Sequence, residues 1–214
     1  MTPSLRLDHV IYAGRDLPAL MERFQALTGV AARIGGRHPG RGTMNALASL
    51  GSEVYLELLA LDPSQAIKAG DMGERISTLP APSLFAYMLK CADLEAAQQV
   101  LLAHGITAEL YAASREMPDG RLLRWRLLVP HHNLVSNPFC EFVPKLIDWQ
   151  DSVHPATTSV PGCSLGDFEL GHPQAPQLRA LLQALGAEVS VERADRAYLR
   201  LRVQTPMGAV VLTG

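Results

Sequence analysis

One pattern limits what this chain can fold into more than any other: a short strand, an amphipathic helix and three further short strands, met more than once along its length. Residues 5–13 form a β-prone run with His9 at its centre. In Arg15-Asp16-Leu17-Pro18, Asp16 is suited to cap a helix and Pro18 to occupy its first turn. Leu17, Leu20, Met21, Phe24 and Leu27 then recur at helical spacing as one apolar stripe, and Gly29 marks its end. Strand-like runs follow at residues 30–34, 44–50 and 54–61, separated by Gly-rich turns. The unit reads βαβββ.

The same order returns. Residues 83–90 are strand-like, Asp93 caps a helix carrying Leu94, Ala97, Val100 and Leu101 on one face, and Gly105 closes it. Strands are expected at 106–111, 121–129 and 142–149, with a Pro118-Asp119-Gly120 turn between the first two. A third, shorter copy runs from 164–170 through a helix with Leu178, Leu181, Leu182 and Leu185. It ends in short strands at 188–192, 198–204 and 209–212. A unit recurring at a fixed scale carries more weight than any single assignment. The reading is an α+β chain: a first βαβββ module over 1–62, a linker over 63–82 with one short helix, a second module over 83–150, and a βαβββ-like unit over 151–214.

Bulk properties exclude several classes. With 214 residues the chain can bury a substantial core. A net charge of −2 and a pI of about 6.4 give no reason to expect a nucleic-acid partner. The longest apolar run is far short of a membrane span. Met1-Thr2-Pro3-Ser4 leads straight into the first strand, so no signal peptide is expected. Three widely spaced cysteines, Cys91, Cys140 and Cys163, argue against a disulfide framework and against a zinc knuckle. A reduced, cytoplasmic protein is expected.

Laying the units on one another aligns Asp16-Leu17 with Asp93-Leu94 and puts Ala86 at the position of His9. Tyr55-Leu56-Glu57-Leu58 aligns with Leu146-Ile147-Asp148-Trp149, so that an acid falls near the end of both modules. These features resemble the vicinal-oxygen-chelate superfamily, which includes glyoxalase I, extradiol dioxygenases and drug-sequestering resistance proteins. The stretch from Gly36 to Leu47, Asp119-Gly120 with Arg124-Trp125-Arg126, and His154-Pro155-Ala156-Thr157-Thr158 resemble its glyoxalase-like domain subfamily.

The resemblance implies that paired modules curl their sheets into a cup, with metal ligands on the first and last strands of each. Those positions hold His9, Glu57, Ala86 and Asp148. His9, Glu57 and Asp148 would form a facial set for a divalent ion such as Zn, Ni, Mn or Fe, with Ala86 departing from the glyoxalase I pattern. His9 and Glu57 would be the catalytic pair, and the activity that of a lyase, isomerase or dioxygenase on a small oxygenated substrate. Arg37, His38 and Asn45 would bind its polar end, and Arg124, Trp125 and Trp149 would form a wall. Because strand residues alternate in facing, Arg124 and Arg126 share a face that Trp125 does not.

Other readings stand beside these. His9 would serve as a hydrogen-bonded core histidine, Glu57 as a buried carboxylate with a structural partner, and Asp148 as a turn cap or an arginine's partner. Asn45 would fit a solvated hairpin. His131, His132 and His154 are expected on loops, and His104 against the carbonyl end of its helix. The alternative function is a metal-free protein that binds or sequesters a small molecule in the same cup, as a monomer or a homodimer, with the cup complete within one chain.

Overall fold

A computed structural model of the chain describes residues 5–116, 122–131 and 139–214; the expected turn at Pro118-Asp119-Gly120 and His132 lie outside them. The first module comprises β1 (Arg6–Ala13), α1 (Leu17–Thr28), β2 (Arg33–His38), β3 (Thr43–Ser49) and β4 (Tyr55–Leu61). A short helix α2 (Met72–Ser77) precedes the second module: β5 (Ser83–Lys90), α3 (Leu94–Ala103), β6 (Ala108–Glu116), β7 (Leu122–Pro130) and β8 (Lys145–Asp148). The third unit holds β9 (Ser164–His172), α4 (Ala175–Ala184), β10 (Ser190–Arg193), β11 (Tyr198–Thr205) and β12 (Gly208–Thr213).

Local chemistry sets these elements. The Asp16 carboxylate accepts from the Ala19 amide at 2.8 Å, Pro18 occupies the first turn, and Gly29 ends α1 in the left-handed region at φ 74°. Leu17, Leu20 and Phe24 are buried as the stripe requires, whereas Leu27 drifts off it and is exposed. Asp93 caps α3 through the Ala96 amide. At the other end His104 Nδ1 lies 2.9 Å from the Val100 carbonyl oxygen, as expected of a ring at the negative end of a helix.

The two modules join into one curled eight-stranded sheet, β2-β3-β4-β1-β5-β8-β7-β6. Each contributes its strands in the same relative order, and they meet where β1 runs antiparallel to β5. There His9 pairs with Met88, Val10 with Tyr87 and Ile11 with Ala86. That register is a local two-fold through the Val10–Tyr87 pair, and it exchanges His9 with Ala86. Both strands carry a bulge at related points. Asp8 is the extra residue between Leu7 and His9, and Phe85 the extra residue opposite Ile11 and Tyr12.

The third unit keeps the βαβββ order but is wired differently, as a separate four-stranded sheet β10-β9-β11-β12. It packs on the outer face of the large sheet: the Tyr87 ring meets Phe168 at 5.0 Å, and Leu199 and Gly214 exchange backbone hydrogen bonds near Leu84. One apolar core, with Val10, Tyr87, Leu146, Leu178 and Leu201 among its members, binds the helices and the third unit to that face. A second cluster, including Ile11, Met88, Leu127, Ile147 and Trp149, lines the concave face. Among the described residues no helix is long and apolar enough to cross a membrane.

Candidate active site in the cup

The concave face encloses a cavity of about 400 Å³, of the size that takes a small organic molecule. Its residues come from both modules of the one chain. The sheet edges approach each other across its mouth, where Arg115 of β6 lies against Gly35 and Gly36 of β2. A Cβ on Gly36 would sit 2.7 Å from the Arg115 side chain, so glycine there admits the guanidinium.

Alternation predicts opposite faces for Asp8 and His9. The bulge at Asp8 overrides it and sets the two side chains together, His9 Nδ1 lying 2.6 Å from Asp8 Oδ1. The carboxylate is fully buried and also accepts from Trp149 Nε1 at 3.0 Å and from His154 Nε2 at 2.9 Å. The Ala156 amide donates to His154 Nδ1 at 3.3 Å, which assigns the proton of that ring to Nε2 and directs it at Asp8. Burial by itself would raise the Asp8 carboxyl, but the hydrogen bonds and charges of His154 and His9 bring it down to about 2. With its Nδ1–H committed to Asp8, His9 turns Nε2 toward the cavity, its ring stacked on Tyr55 at 4.4 Å.

Across from Nε2 stands Glu57, at 3.7 Å. That distance is too long for a good hydrogen bond, so the two groups flank one point of the cavity. The other Glu57 oxygen accepts from Asn45 Nδ2 at 2.6 Å, and Asn45 Oδ1 accepts from Arg115 Nη1 at 3.1 Å. His38 lies beside this chain, its Nε2 3.9 Å from Glu57 and its Nδ1 2.9 Å from the Thr43 hydroxyl. Burial, reinforced by Arg115 and Arg41 and opposed by Glu57, keeps the His38 imidazole below its ordinary value.

Of the sequence-derived candidates, His9, His38, Asn45, Glu57, Trp125 and Trp149 come together in this cavity, the two indoles 5.4 Å apart. Arg37, Arg124 and Asp148 do not. Arg37 donates to Asp62 at 2.8 Å and to Ser64 on the outside of the hairpin. Arg124 lies on the face of β7 opposite Trp125, where its amide donates to Ser152. Asp148 follows Ile147, which faces the cavity, and so points to the helical side; there it accepts from the Gln150 amide.

The register also moves the alignment of the last strands. Glu57 pairs with Ile11, and at the two-fold-related point Lys145 pairs with Met88. Lys145, not Asp148, is therefore the counterpart of Glu57. It is buried, lines the cavity, and its ammonium meets no carboxylate within 4 Å among the described residues. Burial, with Arg75 adding to it and Glu141 and Glu57 opposing, lowers it to about 8.

The four positions that the resemblance implies as metal ligands thus hold His9, Glu57, Ala86 and Lys145. This set does not fit a divalent ion: one position is a methyl group and another an ammonium, which repels a cation. Among the described residues no three His, Cys, Asp or Glu side chains form a metal-holding group.

The model of the glyoxalase-like domain family matches residues 7–186, most of the chain. The chain belongs to that family. Glyoxalase-like domains fall within the vicinal-oxygen-chelate superfamily, and the solved structures agree on the fold. A hypothetical protein from Staphylococcus aureus superposes with a TM-score of 0.66 at 16% identity, over 91% of this chain and 88% of its own. A methylmalonyl-CoA epimerase, in complex with methylmalonyl-CoA and an ammonium ion, superposes with a TM-score of 0.50 at 18% identity, over 72% of this chain and 100% of its own. No curated protein matches the chain.

The sequence did not single out Asp8, Arg115 or Lys145 for the site. A lysine is among the residue types least often buried, and no local pattern marks this one. The signal for Asp8 is its adjacency to His9, which becomes meaningful only once a bulge is known.

Proposed function

We propose that this glyoxalase-like domain carries out metal-independent proton transfer on a small, anionic, oxygenated molecule with an apolar or aromatic part. The observation that carries the reading is the Asp8–His9–Glu57 arrangement. A buried carboxylate fixes the tautomer of His9 and leaves Nε2 as a base facing the cavity, with a second acid–base group 3.7 Å away. The charge of the lining supports an anion: Arg41, Arg115 and Lys145 against Glu57. The tryptophans, with Leu127, Ile147 and Met88, supply an apolar wall. That wall also favours a second reading, a protein that holds such a molecule without converting it.

Proton exchange separates the two. The protein, dialysed against a chelator, is incubated in deuterated buffer with pyruvate and phenylpyruvate, and label is followed at the carbon beside the carbonyl. Exchange above background is expected, falling roughly 10²- to 10⁴-fold in His9→Gln and Glu57→Gln. Binding without exchange would leave the sequestering reading. Exchange that appears only on adding a divalent ion would overturn the metal-free one.

A further inference from the structure

We propose that Lys145 is a covalent amine nucleophile, forming an imine with the carbonyl carbon of an α-oxo acid bound in the cup. The inference rests on the reading of the cup as a site for an anionic oxygenated molecule, and adds to it the substrate's carbonyl and a lysine.

Three observations support it. Lys145 is 4% exposed at the start of β8 and lines the cavity, and among the described residues its ammonium meets no carboxylate within 4 Å. Lysine buried without a counter-ion is costly, and it is retained here at the position related to Glu57 by the two-fold of the cup. Its lowered ionisation, to about 8, leaves a usable fraction of free amine near neutral pH. Finally, the flanking groups match the needs of the chemistry. The Glu57 and His9 side chains on the same concave face can take and return protons, Arg115 can meet a carboxylate, and the apolar wall can pack against the rest of the molecule.

The step balances without a further reagent. The ammonium gives one proton to a base in the cavity, and the free amine attacks the carbonyl carbon to give a carbinolamine. Two protons go to the former carbonyl oxygen, which leaves as water, and a protonated C=N bond remains. In sum, ammonium and carbonyl compound become iminium and water, with the charge unchanged. The iminium acidifies the neighbouring C–H, whose proton His9 would accept.

The chain has three lysines, and Lys68 and Lys90 are exposed, so they serve as internal controls. The full chain is incubated with phenylpyruvate and cyanoborohydride near pH 8, and peptides are mapped by mass. The expected result is one reduced adduct at Lys145, saturating with phenylpyruvate concentration, absent in Lys145→Arg, and at least tenfold above any label on Lys68 or Lys90. Label on the exposed lysines alone, or none on Lys145 while phenylpyruvate still raises the melting temperature, would overturn the imine and leave Lys145 an ionic anchor. Deuterium exchange measured in parallel keeps the two readings apart: exchange without an adduct sinks only the imine, and an adduct without exchange sinks only the proton transfer.

Discussion

In the first module the bulge residue, its neighbour and the facing residue of the last strand are Asp8, His9 and Glu57. In the second module the same three positions hold Phe85, Ala86 and Lys145. The difference runs up the walls. By the registers of β3 with β4 and β7 with β8, Thr43 and Asn45 of the first module correspond to Trp125 and Leu127 of the second. A near-symmetric backbone thus carries two unlike surfaces. One half is a hydrogen-bonded acid–base array, and the other is an apolar wall broken by one buried amine. The lesson is that the fold supplies four inward positions at the cup's floor, and side chains alone decide whether those positions bind metal, move protons or hold a ligand.

The largest effect should come from making the second half resemble the first. In the double variant Ala86→His/Lys145→Glu, two more oxygen and nitrogen donors would face His9 and Glu57, completing a four-position set. Full sets of cysteine and histidine bind zinc with on the order of 10 kcal/mol, so even a weaker carboxylate-containing set should be plain in a titration. The expected outcome is one Zn²⁺ or Ni²⁺ per chain after gel filtration, measured by elemental analysis, against none in the parent protein. Equal metal in both would mean that His9 and Glu57 already suffice and that the two halves are not distinguished in this way.

Much of this architecture was legible beforehand. The helix stripes, caps and stop glycines predicted the principal helix of each unit, because capping and periodicity are local properties. The alternation along β7 correctly put Trp125 on the opposite face from Arg124 and Arg126. What failed depended on pairing between distant strands. Sequence alignment matched Glu57 with Asp148 because both are acids near a strand end, whereas hydrogen-bond register matches Glu57 with Lys145. The wiring of the third unit follows the same rule: its element order could be read, but the place of β9 between β10 and β11 is a long-range choice. The bulge at Asp8 left no mark in the residues around it.

A middle-sized effect follows from the ionisation of the two halves: folding favours the charged form of Asp8 and disfavours that of Lys145, and stability rises with pH in both windows. Asp8 is depressed from 3.8 to about 2 when folded, so its contribution is present above pH 4 and is lost as the pH falls toward 2. A shift of that size corresponds to about 2 kcal/mol. Lys145 is lowered from 10.5 to about 8, by burial and Arg75 against Glu141 and Glu57. Below pH 8 both states are protonated, and folding must bury the ammonium. Between pH 8 and 10.5 only the unfolded chain holds the proton, so stability should rise there by about 3 kcal/mol. Denaturant titrations across pH should show that rise in the parent and lose it in Lys145→Met, which should also be the more stable protein at neutral pH. A less stable Lys145→Met would mean that the ammonium is compensated in the fold, and the contrast between the halves would fail.

The smallest effect concerns the apolar wall. Trp125 is half-buried in the cup with its ring 5.4 Å from Trp149, at the position where the first module has Thr43. Trp149 is a poor place to test the wall, because its indole N–H also donates to Asp8 and its loss would unsettle the acid–base half. Trp125 has no such tie to Asp8, so Trp125→Thr copies the first module's residue into the second with little else disturbed. An aromatic contact beyond simple area contributes about 0.5–1.5 kcal/mol, equivalent to roughly a two- to twelvefold change in Kd. Calorimetry should therefore find phenylpyruvate weakened by about that factor while pyruvate, which lacks the ring, is held as before by the cationic groups. Equal weakening of both ligands would place the carboxylate, rather than the ring, against Trp125, and the division of labour between the two halves would have to be drawn elsewhere.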